Sequence, residues 1–409
     1  MKVLILSTFG HYGGAAICAK RQYLALKKHG LDVDLRVVQF YDDSQIRSIF
    51  PDTVFNKLRV KFFFIVERLQ VLFKISHKKY LYKFSTGSTG LKLSGHTLVE
   101  RADIIHLHWV NFGFVSISEI AELSKKKTVF WTQHDMWSFT GGCHYALNCE
   151  KYQNTCDDCF YLKDSSLSNN IQTTKLNLWR KNAFNLLTTS HWLAQCAGNS
   201  IVLKNWNIHV LPTPIDTRVF KPLDKGDLKK SYYLDPDDFY ILFGAVDLKD
   251  ERKGFSYLVE ALAILKEAIP NMHLLTFGKQ ADHIFDGKVT SMGQIDSEEK
   301  LNEIYNLADV FVLPSIQDNL PNTVMEAMSC GLPVVAFDCG GVSDMITHQE
   351  NGFLAPNRDS KVLAEGISYF KHAEKRRIAG ANAREKVEQV FSEDVLVPKY
   401  LELYNQTIK

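Results

Sequence analysis

The sequence predicts two doubly wound α/β units, and three observations carry that expectation. Short apolar runs alternate with amphipathic helical stretches, a Pro-marked connection near mid-chain separates two such series, and 409 residues supply roughly two to three domains' worth of interior. The composition is that of a globular chain, 45% hydrophobic and 23% charged with only 23 Gly and 11 Pro, which excludes collagen-like, low-complexity and largely disordered readings. Lys plus Arg number 48 against 46 Asp plus Glu, so the net charge of +2 gives no signature of nucleic-acid binding.

In chain order, Lys2 to Ser7 reads as a buried first strand. A helix follows from about Ala15 to His29, and a strand from Asp32 to Val38. The alternation resumes with runs at Asp103 to His108, Thr128 to Thr132, Asn185 to Thr189 and His209 to Leu211. Beyond the prolines between Leu211 and Pro222 come Tyr240 to Val246, His273 to Phe277, Val310 to Leu313 and Pro333 to Phe337. The expected domains are therefore 1–210 and 211–390, with a final helix over 391–409 packing back on the first. Parallel sheets of this kind bind ligands at the carboxyl ends of their strands, so two of them imply a cleft.

The N-terminal apolar run is too short for a secretory core, and no stretch reaches the roughly 18 apolar residues of a membrane span. The expected location is the cytoplasm, where the eight cysteines stay reduced or bind metal. One segment departs from the balanced charge. Residues 55–84 hold eight basic side chains and one acid, Glu67, a local charge of +7 that leaves −5 for the rest. Leu58, Phe62, Ile65, Leu69 and Leu72 form one helical stripe flanked by Lys57, Lys61 and Arg68. The pattern suits a peripheral helix at the inner face of a membrane, or a surface helix docked on its own core.

The stretch Leu313 to Val335 carries the chemistry. A buried strand ends at Pro314, a helix opens near Pro321, and a second buried strand follows Gly331. Free backbone N–H groups at a helix start seat phosphate. Asn319, Leu320, Pro321, Asn322 and Thr323 lie at that seat, and Asp318 stands in the turn ahead of it, in reach of a sugar hydroxyl. Glu326 stands about a turn further on, placed to accept hydrogen bonds from ribose hydroxyls.

At these residues the chain resembles the retaining glycosyltransferases of family 4, which have the GT-B fold, two Rossmann-like domains facing across a cleft. The family's mark is an acid, seven residues and a Glu, then Ala-Met-x-x-Gly-x-Pro-Val-Val. Here it reads Asp318, Glu326, Ala327, Met328, Gly331, Pro333, Val334 and Val335. The first acid is usually Glu, so Asp318 is one methylene shorter.

The resemblance implies further roles. Gly13 and Gly14 match a glycine pair that lets the donor's diphosphate approach the backbone. Lys253, with Arg252 beside it, would bind that diphosphate and stabilise charge developing on the leaving nucleotide. His134, in Thr132-Gln-His-Asp135, would face the transferred sugar or the acceptor, and His106 and His108 are weaker acceptor contacts. Gly293 and Ile295 occupy the position where the family seats the nucleotide base. No metal is required for this chemistry.

Cys143, Cys149, Cys156 and Cys159 fall within seventeen residues and end in Cys-x-x-Cys, a ligand set for a structural zinc, with His144 as a substitute ligand. The implied function is transfer of a hexosyl unit from a UDP- or GDP-linked sugar to a saccharide or lipid-linked acceptor in exopolysaccharide, capsule or O-antigen assembly. The alternative is a non-catalytic sugar-nucleotide or lipid-binding module of the same fold.

Overall fold

The computed structural model describes residues 1–41, 46–180, 184–279 and 286–407. The chain divides into two compact units, residues 1–213 with 397–409, and residues 214–396. Each is built on one parallel sheet.

In the first unit the strands are β1 (Lys2–Ser7), β2 (Asp32–Val37), β3 (Arg47–Ser48), β4 (Ile104–Leu107), β5 (Thr128–Gln133), β6 (Asn185–Thr188) and β7 (Ile208–Val210), in the order β3-β2-β1-β4-β5-β6-β7. Val3 to Leu6 and all of β4 are buried, because helices cover both faces of a parallel sheet and leave no wet side for alternation. The first helix, α1 (Gly14–Lys28), starts on Gly13, whose φ of 87° is a conformation that a side chain disfavours. A long helix, α2 (Val54–Lys74), is capped by the Thr53 hydroxyl, which accepts from the backbone N–H of Asn56.

The second unit holds β8 (Phe239–Asp247), β9 (Met272–Lys279), β10 (Lys288–Ser291), β11 (Val310–Leu313), β12 (Val334–Phe337) and β13 (Gly352–Ala355), in the order β10-β9-β8-β11-β12-β13. Strand order reverses between β1 and β4 in the first unit and between β8 and β11 in the second. Crossovers leave in opposite directions at such a point, and a crevice opens at the strand ends.

The last helix, Glu393–Thr407, begins in the second unit and belongs to the first from Val397. The expected helix ran further, and residues 408–409 lie outside the described residues. Tyr400 donates to the Pro212 carbonyl at 3.1 Å, and the Tyr404 hydroxyl lies 2.6 Å from Nδ1 of His106 and accepts from Gln22 at 3.1 Å.

Candidate active site

In the second unit the loop after β11 meets the loop after β8 at the switch point. Strand β8 runs into a single 3-10 turn, Glu251–Lys253, then Gly254, then the helix Phe255–Leu265. Arg252 and Lys253 stand in that turn, just before the helix. The turn is tied across, since Ile316 donates its N–H to the Arg252 carbonyl at 2.9 Å. Gly254 has φ 67°, and a Cβ there would lie 1.8 Å from the Pro314 carbonyl oxygen, so only glycine permits this approach.

The juxtaposition brings Nζ of Lys253 to 2.7 Å from Oδ2 of Asp318, with Nη1 of Arg252 at 3.4 Å from the same oxygen. Arg252 also donates to the Gln317 carbonyl at 2.8 Å. Burial pushes the Asp318 carboxyl up, but Lys253 and Arg252 outweigh it and hold the group down to about 2. Asp318 is thus a carboxylate at every physiological pH.

Beyond Asn319 and Leu320, the helix Asn322–Ser329 starts on Pro321 with no side-chain cap, so its N-terminal backbone donors, at Asn322 and Thr323, form the positive end of the dipole. Glu326 is only 2% exposed, and its Oε2 accepts from the Tyr305 hydroxyl at 2.7 Å. Sequence reasoning missed Tyr305, which sits on the helix Glu298–Leu307. Its 21-residue separation from Glu326 carries no local periodicity that could have flagged it. Gly293 follows β10 with φ 69° and accepts at its carbonyl from the Gly278 N–H at 2.8 Å, while Ile295 packs on the core.

The first unit has a polar site of its own at its strand ends. Nδ1 of His108 lies 2.8 Å from Nε2 of His134, and the two rings stack at 5.0 Å. Burial pulls all three histidines down, His134 to about 4, His106 to about 3 and His108 well below the ordinary value, so they are neutral at pH 7. His106 does not serve as an acceptor contact: it is fully buried, with Nε2 2.7 Å from the Thr132 hydroxyl and Nδ1 on Tyr404. Strand β4 turns it inward to the C-terminal helix. Among the described residues, Nε2 of His108, Nδ2 of Asn111 and Nε2 of Gln133 are buried without a hydrogen-bond partner, which marks these strand ends as polar beyond what folding needs.

Asp135 has a structural task that the sequence did not reveal. Burial pushes its carboxyl up, but His144 at 2.7 Å, the Trp137 N–H and the Trp109 indole hold it below the usual range. His144 is therefore not a substitute metal ligand, since its other nitrogen lies 3.0 Å from the Ser85 hydroxyl. Cys143, Cys149, Cys156 and Cys159 are free thiols lining one cavity of about 20 Å³. Among the described residues no group of three or more His, Cys, Asp or Glu is disposed to hold a metal ion. A second cavity, of about 550 Å³, lies at the ends of β1 and β2 under α2, with Phe9, Phe40, Tyr41, Lys57, Lys61 and Phe112 in its wall.

Residues 239–370 match the family model described as glycosyl transferases group 1. The chain is 27% identical over 197 residues to the capsular polysaccharide biosynthesis glycosyltransferase CapM of Staphylococcus aureus, covering 46% of this chain and 51% of that one. It is 34% identical over 107 residues to the N,N'-diacetylbacillosaminyl-diphospho-undecaprenol alpha-1,3-N-acetylgalactosaminyltransferase of Campylobacter jejuni, 26% and 28% of the two chains. The chain thus spans about half the length of these curated relatives, or less. Among solved structures, Anabaena HepE in complex with UDP-glucose superposes with a TM-score of 0.66 at 16% identity, over 99% of this chain and 100% of that one. The fold, two Rossmann-like α/β units, is that of the GT-B glycosyltransferases.

Proposed function

We propose that the chain is a retaining hexosyltransferase that moves a sugar from a UDP- or GDP-linked donor to a saccharide or lipid-linked acceptor in the assembly of a cell-surface polysaccharide. One observation carries the reading: two cations, Lys253 and Arg252, converge on Asp318 beside an uncapped helix N-terminus, at the switch point of a unit whose residues 239–370 match a glycosyltransferase family. The names of the relatives support the pathway, and the UDP-glucose complex of HepE supports the donor class.

In this reading the donor diphosphate takes Lys253 and Arg252 as its counter-charges and the start of the helix Asn322–Ser329 as its backbone cradle. Phosphate competes with Asp318 for Lys253. The carboxylate so released accepts a hydroxyl of the transferred sugar. Glu326 accepts from the ribose with its position set by Tyr305. The anomeric bond to the diphosphate oxygen breaks, the bond to the acceptor oxygen forms on the same face, and the acceptor's proton leaves to the departing diphosphate. The two cations and the helix dipole carry the charge that a divalent ion carries in other transferases. The acceptor belongs to the first unit, where neutral His134 offers a hydrogen bond rather than a charge.

Incubation with radiolabelled UDP- and GDP-sugars tests the reading. Transfer or slow hydrolysis with retained anomeric configuration is expected. Binding without turnover would leave a sugar-nucleotide-binding module of the same fold, and neither binding nor turnover overturns the assignment.

A further inference from the structure

Helix α2 is apolar on two sides, and the larger apolar face is turned outward. The stripe that an amphipathic surface helix normally buries against its own core faces solvent here: Val54, Phe55, Leu58, Phe62, Ile65, Leu69 and Phe73 are all exposed, Phe55 at 74% and Phe73 at 72%. The inner side holds Val71, with Val60 and Phe63 packed on the core, and the buried charged pair Glu67 and Arg68. That pair ties the helix to the segment behind it, with the Thr86 N–H donating to Glu67 at 2.9 Å and Arg68 donating to the Phe84 carbonyl at 3.0 Å. A buried ion pair with these partners fixes the rotation of the helix about its axis, so the apolar stripe cannot roll inward without stranding two charges. Seven large apolar side chains on one exposed face exceed what scattered surface hydrophobics account for.

The charges around this face identify what covers it. Lys57 and Lys61 lie between the apolar stripe and the buried side, and Lys74, Lys78, Lys79 and Lys83 follow at the helix's C-terminal end. The sole acid of residues 55–84, Glu67, is buried and neutralised, and cations outnumber acids around the apolar centre even though Asp52 pairs with Lys57 at 2.6 Å and Asp164 with Lys74 at 3.8 Å. That combination matches an anionic lipid bilayer, whose acyl boundary takes the apolar side chains while its headgroups meet the lysines.

We propose that α2 is the membrane-docking element of the first unit, lying in the interface plane of an anionic bilayer with Phe55, Leu58, Phe62 and Phe73 inserted. This deepens the assignment of a lipid-linked acceptor and rests on that reading for its purpose, though binding itself does not depend on it. Lys57 and Lys61 also border the 550 Å³ cavity, so a docked helix holds that cavity beside the headgroups from which a lipid acceptor would enter.

Flotation of the full chain with phosphatidylcholine vesicles, and with vesicles containing roughly 30 mol% phosphatidylglycerol, tests docking without requiring turnover. The expected result is binding to the anionic vesicles at low salt and little to the neutral ones. Phe55→Ser, Leu58→Ser and Phe62→Ser combined should weaken it at least about tenfold, as should Lys74→Glu, Lys78→Glu and Lys79→Glu combined. These side chains are exposed, so the thermal transition of both variants should match the parent. Equal flotation with both vesicle types, unchanged binding by the apolar variant, or a solution dimer abolished by that variant, which would make a second copy the occupant, each overturns the proposal. Loss of turnover with binding intact would count against the transferase assignment alone.

Discussion

The hydroxyl of Tyr305 lies 2.7 Å from Oε2 of Glu326, and both residues are buried, Tyr305 completely. The bond joins two helices of the second unit and fixes one oxygen of the carboxylate, and with it the direction the carboxylate faces. Tyr305→Phe keeps the ring in the core and deletes only this bond. A net hydrogen bond of about 1 kcal/mol corresponds to roughly a fivefold rise in donor KM, with kcat little altered, whereas Glu326→Ala should cut turnover at least about a hundredfold. Steady-state kinetics on the two variants checks this, and an unchanged donor KM in Tyr305→Phe would remove Tyr305 as a positioning residue.

Lys253 and Asp318 predict opposite behaviour on opposite sides of one ion pair. Lys253→Ala removes the cation offered to the diphosphate and should lower turnover about a hundredfold, a loss of about 2.7 kcal/mol of transition-state binding. Asp318→Asn removes the competitor for that cation, so UDP binding by calorimetry should tighten while transfer falls by at least about tenfold. Weaker UDP binding in Asp318→Asn would show that the carboxylate does not compete with phosphate for Lys253.

The buried histidines make the first unit sensitive to mild acid. Burial holds His134 down to about 4 and His106 down to about 3, against 6.5 for the exposed group. Between pH 6.5 and about 4 the unfolded chain therefore binds protons that the folded unit refuses. Stability falls as pH drops through this window, by up to about 1.4 kcal/mol per pH unit for each histidine. All six tryptophans lie in the first unit, so their fluorescence reports it alone. Urea midpoints should be lower at pH 5 than at pH 7.5, and identical midpoints would refute the effect.

The four-cysteine loop is a separate test of the zinc expectation. A cavity of about 20 Å³ holds one atom-sized guest, and tetrahedral coordination would need the four sulfurs to close in around it. If the loop binds zinc, elemental analysis of the purified chain gives one zinc per molecule, lost in Cys156→Ser together with Cys159→Ser. No zinc, with four titratable thiols in the loop, eliminates the metal.

Much of the architecture was legible because it rests on local patterns. Buried parallel strands read as unbroken apolar runs, so β1, β11 and β12 stand where Lys2 to Ser7, Val310 to Leu313 and Pro333 to Phe337 placed them. The helix start near Pro321 was legible because a strand end, a turn and a proline fall within a few residues. Tyr305 and Asp135 were not legible, since their partners Glu326 and His144 are brought close only by packing.

The sequence by itself determined two α/β units, the motif from Asp318 to Val335 in the second and a strongly basic amphipathic segment in the first. Tertiary structure decided which way things face. His106 on β4 and His108 just past its end stack their rings at 5.0 Å, yet the C-terminal helix claims His106 through Tyr404 while His108 meets His134. A helical wheel cannot distinguish an apolar stripe turned to the core from one turned to solvent. In α2 the buried pair Glu67 and Arg68 makes that choice, because two charges that have found partners in the interior cannot leave it without losing them.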